Sequence, residues 1–571
     1  MKKNAMLIAA FVLCAPAVFA AGESVAIRAN GASGVVTQQS AATLSVTIDV
    51  SAGDSGLITA DWWLLAEGAG SWYYYDLTAG FIPGFEMTFQ GALPSLSSVE
   101  VLRISGLAAG TYSLFFGFDT SLNGELDMGS LVYQSVTVVI EGSGPPPDPP
   151  VPPPDPGSLI QPTNLVYLGA FRLPEDPAHP GEGWEWGGLS LAYYPGGDPA
   201  GASDGFPGSL YGTGNAQRMW VGEISIPAPV ISAGKNIEDL NMATLLRGFT
   251  DIRSGIASLE NLYANRMILY CGLEYLPAQG SQSSAKLYAC FGDHFHDEGT
   301  PQYTPTHMWT DLDLAGNHSG AWWISTQSLY SVNNYMFELP ASWADANANT
   351  AGRYLVTGRH REGGWSGQGP ALFAIAPWAS GNPPAANAVL PAFPLLLYSN
   401  TRGEDPTAFT MTNYHLSDNW FDGACLTAGA RSAVVFIGLK GQGNCWYGYS
   451  DGTVVPTDGS EGPPAPPYPN NDRGWWSTSF QAQLLFYNPS DFGAVAAGTM
   501  APCQPQPYAA MDLDSYLWNL DKVNHSNFNV NQNKYRVGGL AFDRTNSLLY
   551  IAEDRGDAAN ERPLIHVFRL D

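Results

Sequence analysis

The run GGLAFDRTNSLLYIAED, residues 538–554, lies near the C-terminal end of the sequence, and GGLSLAYYPGG, residues 187–197, with GSLYGTGN soon after it, lies far upstream. Both open on Gly-Gly-Leu and lead into a strand that carries Leu-Tyr. Between them one form recurs, an aliphatic-aromatic strand followed by glycine or a charged residue: MILYCGLEY, KLYACFGD, RYLVTGRHREGG and SAVVFIGLKG. Strands repeated over about 400 residues, with no series of amphipathic helices, predict a β-propeller across residues 158–571. The spacing is irregular and fits roughly six to eight blades. In a propeller the two Gly-Gly-Leu runs meet in or beside the closing blade.

Upstream of this region GSGPPPDPPVPPPDPG, residues 142–157, can form neither a ladder nor a helix, which predicts a semi-rigid polyproline II linker over 143–157. Before it, residues 22–142 read as short strands at near-regular spacing: ATLSVTIDV, ADWWLLAEG, SWYYYDLTAG, EVLRISGL, GTYSLFFGFD and LVYQSVTVVIEG. That pattern predicts an immunoglobulin-like β-sandwich. The expected class is therefore all-β throughout, in keeping with 63 Gly, 43 Pro and 12% aromatic residues, a turn-rich and strand-favouring composition.

Residues 1–20 have the form of a signal peptide, with Lys2 and Lys3, an apolar stretch and small residues around Ala20. The mature chain is expected to be secreted or held at the cell surface. No other apolar run is long enough to span a bilayer, so membrane insertion is not expected. The formal net charge of −27 repels nucleic acid and anionic lipid. A monomer is expected. In an oxidising compartment the cysteines suggest two hairpin disulfides, Cys271–Cys290 and Cys425–Cys445, with Cys503 left over.

The combination ADWWLLAE, WYYYDL, GTYSLFFGFDTSLNGELD and LVYQSVTVVI resembles a small module found at the ends of exported bacterial proteins, which has no assigned activity. The stretches DGFPGSLYGTGN, GRHREGGWSGQGPALFAIAPWASGNPP and GWWSTSFQAQLLFYNPSDFGAVA resemble a group of secreted bacterial proteins, over most of residues 160–571. These resemblances imply an extracellular location and carry no reaction with them.

Several constellations are candidates for chemistry. In FGFDTSLNGELDMGS, residues 116–130, oxygen-bearing side chains fall at the EF-hand-type positions Asp119, Ser121, Asn123 and Asp127, with the Glu125 carbonyl at position seven and Gly124 at position six. Ser130 stands where the bidentate carboxylate belongs, so the expectation is a weak calcium-stapled β-turn, set against an ordinary Asx turn. His294 and His296 alternate in GDHFHDEGT and suit a metal or a ligand. Arg359, His360, Arg361 and Glu362, with Arg473 and Trp475 in NDRGWWS and Arg555 in EDRGD, would give guanidiniums and an aromatic face to a central pocket if they top their blades. The tryptophan pairs Trp322/Trp323 and Trp475/Trp476 can each offer only one ring to such a platform, because adjacent strand residues face opposite ways. No H-E-x-x-H, P-loop, C-x-x-C-H or Rossmann motif occurs.

These features point to an extracellular binding protein that recognises a polysaccharide or surface glycan through its propeller. The alternatives are a propeller lyase or hydrolase acting on an acidic glycan, and a structural or adhesion protein. Whether the chain is an enzyme stays open at this level.

Overall fold

In the computed structural model the chain divides into two compact units, Met1–Pro152 and Pro153–Asp571. The structure describes residues 23–141 and 159–571 apart from 40–42, 53–56, 69–70, 78–79, 105–106, 108–109, 199–200, 265–268, 294–302, 328–330, 360–366, 400–409, 458–459, 468–470, 472 and 520–536. The leader 1–20 and the linker 143–157 lie outside the described residues.

Among the described residues the smaller unit holds two sheets. One contains Glu23–Ala29, Leu44–Ala52 and Leu96–Ile104; the other runs Gly34–Gln39, Val132–Glu141, Gly110–Asp119, Leu57–Gly68, Ser71–Asp76, Gly80–Pro83, with Phe89–Pro94 also paired to Leu57–Gly68. Alternation decides which side chains go inward: Leu44, Val46, Ile48, Val50 and Ala52 are buried along one strand. They share a core with Trp62, Leu64, Phe116, Phe118, Val136 and Val138 of the other sheet.

The larger unit holds five sheets, each with four antiparallel strands, not the six to eight expected, among the described residues. Sheet 1 is Leu191–Tyr194, Ser209–Thr213, Val221–Ser225 and Leu245–Thr250. Sheet 2 is Leu269–Leu276, Lys286–Asp293, His307–Thr310 and Ser319–Ile324, with Val389–Leu390 added in parallel at its edge. Sheet 3 is Tyr335–Glu338, Leu355–Gly358, Leu372–Ile375 and Ala392–Leu396. Sheet 4 is Asn419–Ala428, Arg431–Tyr449, Arg473–Tyr487 and Pro507–Asp512. Sheet 5 is Val537–Asp543, Leu548–Asp557 and Arg562–Leu570, completed by Leu165–Arg172 from the start of the unit.

No sheet closes on itself. Instead the first strand of each sheet packs beside the first strand of the next, and that of sheet 5 beside that of sheet 1. A separate apolar core fills each interval. Leu273 and Leu287 of sheet 2 meet Tyr211 and Val221 of sheet 1, whereas Tyr288 and Trp322 of sheet 2 meet Leu355 and Phe373 of sheet 3. Sheets 3 and 4, 4 and 5, and 5 and 1 share cores in the same way. Each sheet is thus buried on both faces, and its strands read as continuous apolar runs. The two Gly-Gly-Leu runs meet at the last interval, where the Gly539 N–H donates to the Gly188 carbonyl at 2.7 Å. A Cβ at Gly538 would lie 2.2 Å from that oxygen, so the contact needs glycine.

The disulfides expected from the sequence do not form: Cys271, Cys290, Cys425, Cys445 and Cys503 are all free thiols. Register explains both failures. Cys271 pairs with Phe291 and Cys290 with Gly272, so the two cysteines face opposite sides of sheet 2, Cys271 toward sheet 1 and Cys290 toward sheet 3. Cys425 is buried opposite Val434, while Cys445 is exposed opposite Ser477 at the far end of the same long strand. No bridge can span that length.

Candidate functional site

Four of the five first strands of the larger unit carry an acidic residue within or at the end of an otherwise apolar run: LYCGLEYL with Glu274, YMFE with Glu338, NWFDGACLTA with Asp422 and VGGLAFD with Asp543. Ring closure brings these strands together, and a cavity of about 320 Å³ opens where they end. Its lining includes Tyr193, Glu274, Tyr275, Phe337, Glu338 and Phe542, with Arg544 just beyond the last strand. All five first strands contribute to it, four of them with residues at their C-terminal ends, so they run in one direction around the cavity.

Asp422 lies beneath the cavity and is fully buried. Its carboxylate accepts the Leu540 N–H at 3.0 Å and the Gly423 N–H at 2.8 Å, and the Leu191 N–H also bonds to it. One side chain therefore ties together the first strands of sheets 1, 4 and 5. Burial holds its acid well above the usual carboxylate range, against those three donors.

Glu274 and Glu338 face the cavity in different environments. Burial pushes Glu274 well above the ordinary carboxylate range, and the charges of Glu338 and Asp422 add to that effect. Glu338 is also raised by burial, but the charge and hydrogen bond of Arg544 pull it back. Arg544 Nη2 lies 3.5 Å from Glu338 Oε2, and its Nη1 donates to Thr427 Oγ1 at 3.2 Å. The cavity thus offers a carboxyl group whose acid form burial favours, an ion-paired carboxylate and aromatic walls. A carboxylic acid both donates and accepts hydrogen bonds, and the aromatic faces suit the apolar side of a sugar ring.

The residues singled out from the sequence lie elsewhere. Arg359 follows the second strand of sheet 3, Arg473 opens the third strand of sheet 4, and Arg555 lies near the end of the second strand of sheet 5. All three lie in or beside the strand ends where the second strand passes to the third, at the opposite end of the sheets from the cavity. Arg359 is fully buried, donates to Asn333 Oδ1 at 2.8 Å and stacks on Tyr270. Arg555 pairs with Asp554 at 2.8 Å and covers the Trp186 ring at 4.4 Å. Arg473 is exposed and shares the Tyr447 ring with Trp475, which is half-buried. Each arginine therefore has its own local partners. His294, His296, His360, Arg361 and Glu362 lie outside the described residues. In the tryptophan pairs Trp322 and Trp476 are core, while Trp323 and Trp475 are partly exposed.

The 119–127 loop forms Asx turns. Asp119 Oδ1 accepts from Ser121 N at 3.1 Å, Asn123 Oδ1 from Glu125 N at 2.8 Å and Asp127 Oδ1 from Gly129 N at 2.9 Å. Ser121 Oγ donates to Asp127 at 2.6 Å, and hydrogen bonding lowers the Asp127 acid below its ordinary value. Among the described residues no group of three or more His, Cys, Asp or Glu is gathered to hold a metal ion, and no helix is long and apolar enough to cross a membrane. No family model matches the chain, and no curated protein matches it.

Proposed function

We propose that this is an exported glycan-binding protein whose larger unit is a five-bladed β-propeller, carried by an immunoglobulin-like β-sandwich. The ligand is the terminal, neutral residue of an extracellular or cell-surface glycan, bound in the cavity where the first strands end. The observation that carries this reading is the pairing of Glu274 and Glu338 with the walls Tyr193, Tyr275, Phe337 and Phe542 in a space of about 320 Å³. That volume is at the small end of ligand sites, suited to a chain end. Acids outnumber the single arginine, and Arg544 already faces Glu338, so an anionic sugar is disfavoured.

Full-length protein applied to an array of neutral, amino and acidic glycans should retain neutral ones, with little loss on raising salt, because exposed ion pairs are screened and these contacts are not. Glu274→Gln and Tyr275→Ala should each weaken binding by about tenfold or more, roughly the loss of one good hydrogen bond or stacking contact. Retention of acidic glycans alone, or unchanged binding by both variants, would overturn the reading.

A glycosidase is the second reading, favoured by the unequal environments of the two glutamates. A raised acid beside an ion-paired carboxylate is the arrangement that splits general acid from base or nucleophile. Turnover of an aryl glycoside, lost in both Glu274→Gln and Glu338→Gln, would select it over binding alone.

A further inference from the structure

Asp61 and Asp119 are direct partners across antiparallel strands of the smaller unit, and neither side chain has any exposed surface. Two like charges side by side repel, and burial makes an unbalanced charge costlier still. Among the described residues no arginine, lysine or histidine forms an ion pair with either residue. Their donors are neutral: Trp63 Nε1 and Ser121 N to Asp119, at 2.8 and 3.1 Å, and Gly124 N to Asp61 Oδ2 at 2.6 Å. Through the last bond Asp61 points into the 119–130 loop. Its second oxygen, Oδ1, is buried without a hydrogen-bond partner. A buried carboxylate oxygen left bare in this way needs a proton or a cation.

We propose that Asp61 and Asp119 hold a divalent cation of the calcium class at the start of the 119–130 loop, with Asp61 supplying the carboxylate that Ser130 does not. Read along the sequence, the loop has EF-hand-like spacing up to its ninth position and then lacks its acidic ligand. The neighbouring strand delivers that ligand from Asp61, a residue that no spacing rule within the loop would reveal. Two acids are too few for a zinc-type cluster, whereas calcium completes its shell with carbonyl, hydroxyl and water oxygens. Calcium also tolerates the irregular geometry of a loop, which magnesium does not.

The test uses the full mature chain, stripped with chelator, and calcium chloride as the only added ligand. Calorimetric titration should show one site in the range of about 10⁻⁴ to 10⁻³ M typical of extracellular modules. Asp61→Asn should weaken it at least tenfold, and Glu86→Gln, an exposed acid of the same unit outside the loop, should leave it unchanged. Terbium gives a second readout that needs no change at the acids. Trp63, bonded to Asp119, should sensitise its emission, calcium should quench that signal by competition, and Trp63→Phe should remove most of it. Absence of a calcium isotherm in the wild type, an unchanged isotherm in Asp61→Asn, or equal affinity for magnesium would overturn the proposal. A metal-free rise in melting temperature on Asp61→Asn, with no calcium response in the wild type, would show that the pair shares a proton instead.

Discussion

At the scale of single residues, His307 shows what enclosure between two sheets does to a titrating group. Its ring is 1% exposed and sits between the hydroxyls of Thr306 and Thr357, each 2.8 Å away, and burial brings its pKa down to about 3. The unfolded chain takes up this proton near pH 6.5 and the folded chain only near 3, so the unfolded state binds more protons between them. The stability held by neutral His307 is complete above pH 6.5 and falls with pH by up to about 1.4 kcal/mol per unit through that window. Raised acids such as Asp418, pushed up to about 6 by burial despite Lys440, work in the opposite sense, so the whole-protein curve mixes both. The difference between wild type and His307→Gln isolates the histidine. Urea midpoints at pH 7 and pH 5 should diverge for the wild type relative to this variant; parallel curves would show that His307 is not held neutral. None of this was legible in the sequence, where His307 is one of nine histidines. The cavity acids carried a signal that was missed: Glu274, Glu338 and Asp422 each interrupt an apolar strand, and a charge in such a run is either paired or functional. The sequence suggested Arg359 and Arg555 for a central pocket, yet both serve local packing.

At the scale of strands and sheets, the Gly-Gly-Leu repeat was the most informative feature of the sequence, because its two copies occupy the seam where the ends of the larger unit join. A side chain at Gly539 would place Cβ 2.5 Å from Leu191 N and from the Ser190 carbonyl carbon, both backbone atoms that cannot swing aside. Gly539→Ala should therefore destabilise this unit by about 1–3 kcal/mol, the usual cost of overpacking. Gly316→Ala, where nothing lies within 4 Å, should change it by less than about 0.5 kcal/mol. Thermal melts of the two variants check this, and equal melting temperatures would remove the seam's special status. The number of sheets was harder to read. Sheet 3 starts with strands of only four residues, while Arg431–Tyr449 runs for nineteen and reads as two runs and a loop because of its glycines. Those glycines are packing sites: a Cβ at Gly438 would meet Asn419 O at 2.0 Å. The same misreading suggested a Cys425–Cys445 bridge, although Cys445 lies far along the long strand from Val434, the residue opposite Cys425.

At the scale of the whole molecule, the division at Pro152 and Pro153 falls in the proline-rich segment that composition alone marks as a spacer. Among the described residues each unit has its own sheets and its own cores. If the spacer makes the units thermodynamically independent, calorimetry of the full chain should resolve two transitions, and the separately expressed pieces 22–142 and 158–571 should melt at the temperatures seen in the intact chain. Ligands make the assignment, because each stabilises only the unit that binds it, by RT ln(1 + [L]/Kd). At one hundred times Kd that amounts to about 2.7 kcal/mol, a shift of several degrees for a domain of roughly one hundred residues and less for the larger unit. Calcium should move the transition of the smaller unit and leave the other in place; a neutral glycan should do the reverse. A single transition moved by either ligand would mean that the two units unfold together, and the proline segment would then be a covered joint instead of a spacer. A molten or insoluble 158–571 piece would place part of its core in the smaller unit.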